Sequence, residues 1–262
     1  MIPARLRAGR VLSFALAVAA ATAISAPRAV LAADALVAVA ANFAEALNVV
    51  RADFQRDTEH RITVVLGSTG KLYAQIVNGA PYDLMMAADQ ARPERLEMEG
   101  RAVAGSRFTY ATGRLALWSR DAARVASDGE AVLRASRFRR LAIANPDLAP
   151  YGAAARETLT ALGLADALSG RIVMGENIGQ TFAMVATGNA ELGFVALSSV
   201  LALKDRSGGS HWVVPPALYQ PIRQDAVLLI HGADNAAALA FHAYLHSDGV
   251  RATIARLGYG VE

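Results

Sequence analysis

Short apolar runs alternate with amphipathic helical segments along most of this chain, and this alternation constrains the fold more than any other feature. The first run, at residues 36–40, precedes a segment whose apolar residues from Phe43 to Phe54 are spaced for one helical face. Similar pairs of a strand-like run and a helical segment recur in both halves of the chain. Strands that alternate with helices predict an α/β fold built from mainly parallel sheets flanked by helices.

The first 32 residues have the three parts of a secretory signal peptide. Three arginines within the first ten residues make a basic start, residues 11–24 form an alanine-rich apolar run, and small residues precede Ala33. An apolar run of about 14 residues is too short to span a bilayer comfortably, which argues against a membrane anchor. We therefore expect residues 1–32 to be a signal peptide and the mature protein to be periplasmic.

The charge balance changes once this leader is set aside. The whole sequence has 26 basic and 23 acidic residues, and four of the arginines lie within residues 1–32. The remaining 22 basic residues nearly balance the 23 acidic ones. A nucleic-acid-binding protein would show a clustered basic face, so we expect no nucleic acid partner. The sequence contains no cysteine, which excludes disulfides and thiolate metal sites.

One stretch joins a strand to a helix through small polar residues. The apolar run at 62–66 ends at Gly67, Ser68 and Thr69 follow, and a helical pattern begins near Leu72. The first N–H groups of a helix lack intrahelical acceptors and favour negative charge, so this stretch can bind an anion. A capped helix without a ligand is the alternative interpretation.

Four helix starts of this kind follow predicted strands, two in each half of the chain. They lie at Asn42, at Ser68, at Tyr151 and at Asn177-Ile178. In open α/β sheets, ligands bind beyond the carboxyl ends of the strands. Each start taken alone is ordinary helix capping, but four of them predict donors that converge from two halves. None carries a cation, so the ligand would be held by helix dipoles and neutral hydrogen bonds.

Catalytic motifs are not evident in the sequence. There is no G-x-S-x-G elbow and no H-E-x-x-H pair. Residues 67–71 resemble a P-loop only superficially, because the first glycine is missing and Leu72 stands where a metal-binding Ser or Thr belongs. We expect Lys71 to be a solvated helix residue. His242 and His246 lie four residues apart, and an exposed helix is a simpler interpretation than a metal pair.

Eight short segments together carry a resemblance to a known family. The segments are AVAANF at 38–43, GSTGK at 67–71, NGAP at 78–81, ADQ at 88–90, ANP at 144–146, APYG at 149–152, GNAELGFVAL at 188–197 and PIRQDA at 221–226. They resemble the periplasmic molybdate-binding proteins of ABC importers, and the resemblance extends over almost all of the chain after the leader, in the expected order.

This resemblance implies a fold, a ligand and partners. The fold is a two-lobed periplasmic binding protein of type II, in which each lobe is a mainly parallel sheet flanked by helices and the ligand lies in the cleft. The ligand is molybdate or tungstate, with no cofactor and no direct metal ligand. The partner is the membrane permease of an ABC importer, and the protein is a monomer and not an enzyme.

The resemblance also implies which residues contact the oxyanion. In the first lobe these are Asn42, with a backbone N–H from its neighbour Ala41, and Ser68. In the second lobe they are the backbone N–H groups of Tyr151 and Ile178. Some members of the family use a tyrosine after the strand at 192–195; this chain has Ala196 there, which leaves the exact coordination open.

The chain crosses between the lobes twice in this interpretation. Residues 33–115 and 222–262 form lobe I, and residues 116–221 form lobe II. The crossing strands near 112–117 and 223–227 are the expected hinge.

Two alternatives differ in function on a similar fold. One is a binding protein for another tetrahedral oxyanion, such as sulfate or phosphate. The other is an enzyme on the same two-lobed fold, such as a pyrrole-polymerising deaminase. That family attaches its cofactor through cysteine, which this chain lacks.

Overall fold

The computed structural model of the chain describes residues 32–125, 128–203 and 209–261. The predicted signal peptide therefore lies, apart from Ala32, outside the described residues. The strands are β1 Asp34–Ala40, β2 Arg61–Gly67, β3 Leu84–Met86, β4 Phe108–Gly113, β5 Leu115–Ser119, β6 Leu141–Ala144, β7 Ile172–Gly175, β8 Leu192–Ala196, β9 Ser210–Val213 and β10 Ile222–Leu228. The helices are α1 Ala44–Asp57, α2 Thr69–Val77, α3 Ala91–Met98, α4 Gly129–Ala135, α5 Pro150–Ala161, α6 Ala165–Leu168, α7 Ile178–Ala186, α8 Leu197–Ala202, α9 Ala236–Leu245 and α10 Asp248–Arg256.

These strands form two five-stranded sheets, each with helices around it. The first sheet has the order β2-β1-β3-β10-β4, and the second has the order β7-β6-β8-β5-β9. In the first sheet β1 runs parallel to β2 and β3, whereas β10 runs antiparallel to β3 and β4. In the second sheet β6 runs parallel to β7 and β8, whereas β5 runs antiparallel to β8 and β9.

The predicted α/β class is confirmed, and both sheets are mixed where mainly parallel pairing was expected. The antiparallel pairs all involve β5 and β10, the strands through which the chain enters each sheet from the other. Arg114 alone separates β4 of the first sheet from β5 of the second. A strand that arrives from the opposite sheet is not the product of a βαβ crossover, so the parallel rule does not apply to it.

The first sheet is buried on both faces, which explains its apolar strands. In β1, Val37 and Val39 belong to a cluster with Phe54 and Phe241, which face the sheet from α1 and α9. The residue between them, Ala38, belongs to a second cluster on the α2 and α3 side. Because side chains alternate along a strand, a strand covered on both faces must be apolar throughout. Each large buried side chain contributes about 1.5–3 kcal/mol.

The second sheet is covered in the same way. One cluster joins Leu117 and Phe194 of the sheet to Leu159 of α5. On the other face, the ring of Trp118 stacks on Phe182 of α7, with ring centroids 4.8 Å apart. Over the three described stretches, no helix is long and apolar enough to cross a membrane.

The last strand of the first sheet has an irregular register. Gln224 pairs with Ala111, whereas Asp225 pairs with Thr109, so Tyr110 of β4 is the extra residue of a β-bulge. Gln224 and Asp225 are both completely buried, although both are polar. Polar groups buried this deeply in a strand require hydrogen-bond partners.

Candidate functional site

The helix starts identified in the sequence surround one small cavity. The ends of β1 and β2 lie side by side, since Ala40 pairs with Gly67, and this brings the residues that follow each strand together. The cavity is small, and the space open to the centre of a water-sized sphere is about 10 Å³. Its lining includes all five residues assigned to the oxyanion, which are Ala41, Asn42, Ser68, Tyr151 and Ile178. None of the described residues that line it carries a charge.

Ser68 has a side chain that no other group satisfies. It is the N-cap residue of α2, with an extended backbone, yet its hydroxyl makes no capping hydrogen bond. Ser68 is 3% exposed, and within the described part of the chain its Oγ is the one buried side-chain N or O atom without a partner. Such an orphan costs about 1–3 kcal/mol, so a hydroxyl kept in this state points to a binding role.

The neighbouring hydroxyl provides a contrast. Thr69 also lines the cavity, but its Oγ1 accepts a hydrogen bond of 3.0 Å from the backbone N–H of Ala88. This bond ties the start of α2 to the segment after β3. Thr69 therefore has a structural partner that Ser68 lacks.

Asn42 does not cap α1 directly. It lies in a short 3-10 turn at Ala41–Phe43, and α1 begins only at Ala44. The turn directs the amide inwards, where its Nδ2 donates to Gln224 Oε1 at 2.8 Å and approaches Tyr259 Oη at 3.4 Å. The side chain is thus held by the interior of the protein and not by its own helix.

Tyr151 is the second residue of α5, directly after Pro150. Proline suits the first position of a helix, because its missing N–H has no partner there. The helix start packs tightly on the end of β6: a Cβ at Gly152 would lie 2.2 Å from the carbonyl oxygen of Ala144. The absence of a side chain at Gly152 therefore lets the first turn of α5 approach the cavity.

The hydroxyl of Tyr151 is buried at the crossing between the sheets. It accepts a hydrogen bond of 3.3 Å from Gln224 Nε2. Burial raises the pKa of the Tyr151 hydroxyl well above its ordinary value, so the group stays neutral at physiological pH.

Ile178 is the first residue of α7, and it is buried. The cap of this helix is complete, since Asn177 Oδ1 accepts a hydrogen bond of 3.0 Å from the N–H of Gln180. The N–H of the first helical residue has no intrahelical acceptor. At this helix the main chain of Ile178, and not the Asn177 side chain, is available to a ligand.

At the rim of the cavity, three contacts join segments that flank the first sheet to segments that flank the second sheet. The N–H of Gly70 donates to the carbonyl oxygen of Leu148 at 2.9 Å. Arg92 Nη2 donates to the carbonyl oxygen of Asp147 at 3.0 Å. Lys71 forms an ion pair with Glu176.

Lys71 is a solvated helix residue, as expected, and it also has an ionic partner. Its side chain is 45% exposed, and it does not belong to the cavity lining. Its ammonium group is paired with the carboxylate of Glu176 on the other side of the rim.

The remaining sequence candidates lie elsewhere. His242 Nε2 lies 2.7 Å from the carbonyl oxygen of Ser106, and the ring of His246 stacks on Phe108. Burial lowers the pKa of His246. In the described residues no cluster of His, Cys, Asp or Glu could hold a metal ion. Ala196, at the end of β8, is buried outside the cavity lining.

Two residues next to the site were missed in the sequence analysis. Gln224 had one available signal, because it is a polar residue at the start of a strongly apolar strand. Tyr259 had none, since it follows α10 near the end of the sequence. Its hydroxyl donates to the carbonyl oxygen of Asn42 at 2.6 Å and accepts from Ser198 Oγ at 3.0 Å. Burial raises the pKa of Tyr259 to about 12.

Two sheets joined by crossing strands, with a small uncharged cavity between them, define the two-lobed fold of a periplasmic binding protein. We call the first sheet with its helices lobe I and the second sheet with its helices lobe II. The chain belongs to the family of bacterial extracellular solute-binding proteins, whose family model matches residues 35–260.

The chain is similar to two proteins and one solved structure that are named for molybdate binding. The molybdate-binding protein ModA of Azotobacter vinelandii is 49% identical over 221 residues, which cover 84% of this chain and 87% of ModA. The ModA of Rhodobacter capsulatus is 45% identical over 221 residues, covering 84% of this chain and 86% of that protein. The solved structure of the Azotobacter vinelandii periplasmic molybdate-binding protein superimposes with a TM-score of 0.83 at 41% identity, covering 87% of this chain and 99% of that structure.

Proposed function

We propose that this protein binds molybdate, and also tungstate, in the periplasm and delivers it to an ABC importer. The relatives named for molybdate binding support the ligand. The observation that carries the proposal is the orphan hydroxyl of Ser68 in an uncharged cavity lined from both lobes. The oxyanion is cargo and not a cofactor, and the protein is a binding protein and not an enzyme.

The proposed contacts are neutral hydrogen-bond donors. Ser68 offers its hydroxyl, Asn42 and Ala41 offer main-chain N–H groups in the turn after β1, and Tyr151 and Ile178 offer main-chain N–H groups at helix starts. A hydrogen bond to a charged oxygen contributes about 1.5–3 kcal/mol, so several that converge can bind a dianion tightly. A site made mainly of N–H donors disfavours a protonated oxyanion such as phosphate, and a closed site fitted to molybdate would hold the smaller sulfate less well.

The division of donors between the lobes links binding to closure. A donor from lobe II contributes only when the cleft is shut, so the ligand stabilises the closed arrangement. We assign residues 33–115 and 222–262 to lobe I and 116–221 to lobe II, with the hinge near 112–117 and 223–227. The single residue between β4 and β5 supports the first hinge segment.

Export and transport complete the proposal. Residues 1–32 serve as the signal peptide, as their basic start and apolar run indicate. The mature protein acts as a monomer that docks on the permease of the importer.

Calorimetry on protein refolded from denaturant, to remove bound anion, tests this function. We expect heat from one site with molybdate and with tungstate, and weaker or no binding of sulfate and phosphate. No heat with molybdate or tungstate would refute the proposal. Tighter binding of sulfate or phosphate would instead support the alternative oxyanion receptor.

A further inference from the structure

Gln224 is completely buried and lies where the two lobes meet. It belongs to β10, the strand that carries the chain from lobe II back into lobe I. A buried primary amide has two donor hydrogens and an acceptor oxygen, and leaving them unpaired is costly. The hydrogen-bond partners of this amide therefore indicate the role of Gln224.

Both ends of the Gln224 amide bind residues at the site. Its Oε1 accepts from Asn42 Nδ2 at 2.8 Å and lies 3.0 Å from Tyr110 Oη. Its Nε2 donates to Tyr151 Oη at 3.3 Å. One side chain thus connects Asn42 of lobe I to Tyr151 of lobe II, and both of these residues line the cavity.

The backbone around Gln224 is fixed in place by its neighbour. The Asp225 carboxylate accepts from Arg107 Nη1 at 2.7 Å and from Thr109 Oγ1 at 2.7 Å. The bulge at Tyr110 shifts the register at this point and re-aims the local side chains. Gln224 therefore stands on a rigid support in lobe I.

Gly113 leaves room for the contact between Gln224 and Tyr151 because it has no side chain. A Cβ at Gly113 would lie 2.2 Å from Tyr151 Oη and 2.6 Å from Gln224 Nε2. Gly113 is the last residue of β4, directly before the chain crosses into lobe II. The Gln224–Tyr151 hydrogen bond thus lies next to the segment where the chain crosses from lobe I to lobe II.

We propose that Gln224 is a positioning residue that sets Asn42 and Tyr151 in register for the oxyanion when the lobes close. It lies outside the cavity lining and acts through these two residues. This inference rests on the proposed function, because it concerns how that same site is assembled. The neutral amide accepts from Asn42 and donates to Tyr151 at once, and it does so without placing a negative charge beside the oxyanion.

Two substitutions of similar size separate the roles of Gln224. Gln224→Met keeps the volume and removes both hydrogen bonds, and we expect molybdate affinity to fall about tenfold to a hundredfold. Gln224→Glu keeps the acceptor but loses the donor and adds a negative charge beside a dianion. Affinity should fall further at about pH 8 and recover towards about pH 6, because a buried carboxyl has a raised pKa and becomes neutral as the pH falls.

The pH profile shows whether the loss in Gln224→Glu follows the charge of residue 224, and the double-mutant cycle below separates positioning from a merely structural role. Calorimetric titration of Gln224→Glu, the unsubstituted protein and the control Gln75→Glu should show recovery only in the first. Gln75 is exposed, and its Oε1 only accepts a hydrogen bond from Tyr82, which a carboxylate can also accept. A flat profile for Gln224→Glu, or unchanged affinity in Gln224→Met, would overturn the proposal.

A double-mutant cycle keeps the proposal testable if Gln224→Glu fails to fold. Tyr151→Phe removes the hydroxyl that accepts from Gln224 and keeps the main-chain N–H. We expect Gln224→Met to weaken binding less in the Tyr151→Phe background than in the unsubstituted protein. Fully additive losses would show that Gln224 does not act through Tyr151.

The two proposals fail in different ways. If the unsubstituted protein binds no molybdate or tungstate, the proposed function fails before any variant is compared. If the unsubstituted protein binds and the Gln224 variants bind equally well, only the role of Gln224 is refuted.

Discussion

The two lobes contribute to the cavity in different chemical forms. Lobe I presents one free side chain, the Ser68 hydroxyl, which has no partner, whereas the Asn42 amide is already bound by Gln224. Lobe II presents helix starts, and at α7 the capping side chain of Asn177 is already used by Gln180. A helix cap is thus left free for a ligand in lobe I and used by its own helix in lobe II.

This difference makes the two lobes respond differently to substitution. At Ser68 of lobe I the identity of the side chain decides whether the proposed donor exists. In lobe II the proposed donor is the main chain of Tyr151 or Ile178, so most side-chain changes leave it intact. Substitutions that remove either the main-chain donor or the side-chain donor therefore test this difference between the lobes.

The largest effect is expected from Ile178→Pro. Proline at the first position of a helix is tolerated, and the extended backbone of Asn177 suits a following proline. The substitution removes the N–H of residue 178, and no water can replace a donor at this buried position. We expect molybdate affinity, measured by calorimetry, to fall about a hundredfold.

Ile178→Val is the matched control for this variant. It keeps the N–H and shortens the side chain, so affinity should change less than about threefold. A similar loss in both variants would mean that the side chain, and not the main chain, is the contact in lobe II.

Ser68→Ala should have the next largest effect, with a loss of affinity of about tenfold or more. The free energy of unfolding of the ligand-free protein should stay the same or rise by up to about 1 kcal/mol, because the substitution removes an unsatisfied buried hydroxyl. Denaturant unfolding and calorimetry on the same preparation measure both quantities.

Thr69→Ala provides the contrast within the same turn. It removes the acceptor of the Ala88 N–H, so it should lower stability. If Ser68→Ala lowered stability and kept its affinity, the hydroxyl would be structural and the comparison between the lobes would fail.

The smallest effect is expected at the rim, for Lys71→Met. The pair of Lys71 and Glu176 is about half exposed, and exposed ion pairs contribute about 0–1 kcal/mol. Affinity should fall less than about threefold at low salt, and the difference should shrink as salt is added. Glu176→Gln should give the same result, and a loss above about tenfold in Lys71→Met alone would make the lysine a ligand contact.

Much of the fold could be predicted because the signals are local. Apolar runs and helical spacing are set by neighbouring residues, and they located most of the strands and helices. The antiparallel strands could not be found in this way, since the direction of β10 depends on where the chain returns from lobe II. The same limit applies to the bulge at Tyr110, which is a property of two paired strands.

The residues of the candidate site could likewise be predicted only where the sequence signal is local. Ser68, Tyr151 and Ile178 could be named from the sequence because each follows a strand and begins a helix. Gln224 and Tyr259 lie 182 and 217 positions from Asn42, and only the folded chain brings them to it. Predicting such partners requires the packing of the lobes, which no local pattern contains.

The stack of Trp118 on Phe182 also has a spectroscopic consequence. The chain has two tryptophans, Trp118 and Trp212, and both lie on neighbouring strands of lobe II. Phe182 belongs to α7, the helix that begins at Ile178. Intrinsic tryptophan emission therefore reports on lobe II, and through Trp118 on the surroundings of α7. It would respond to lobe I only when closure of the cleft brings lobe I close to these residues.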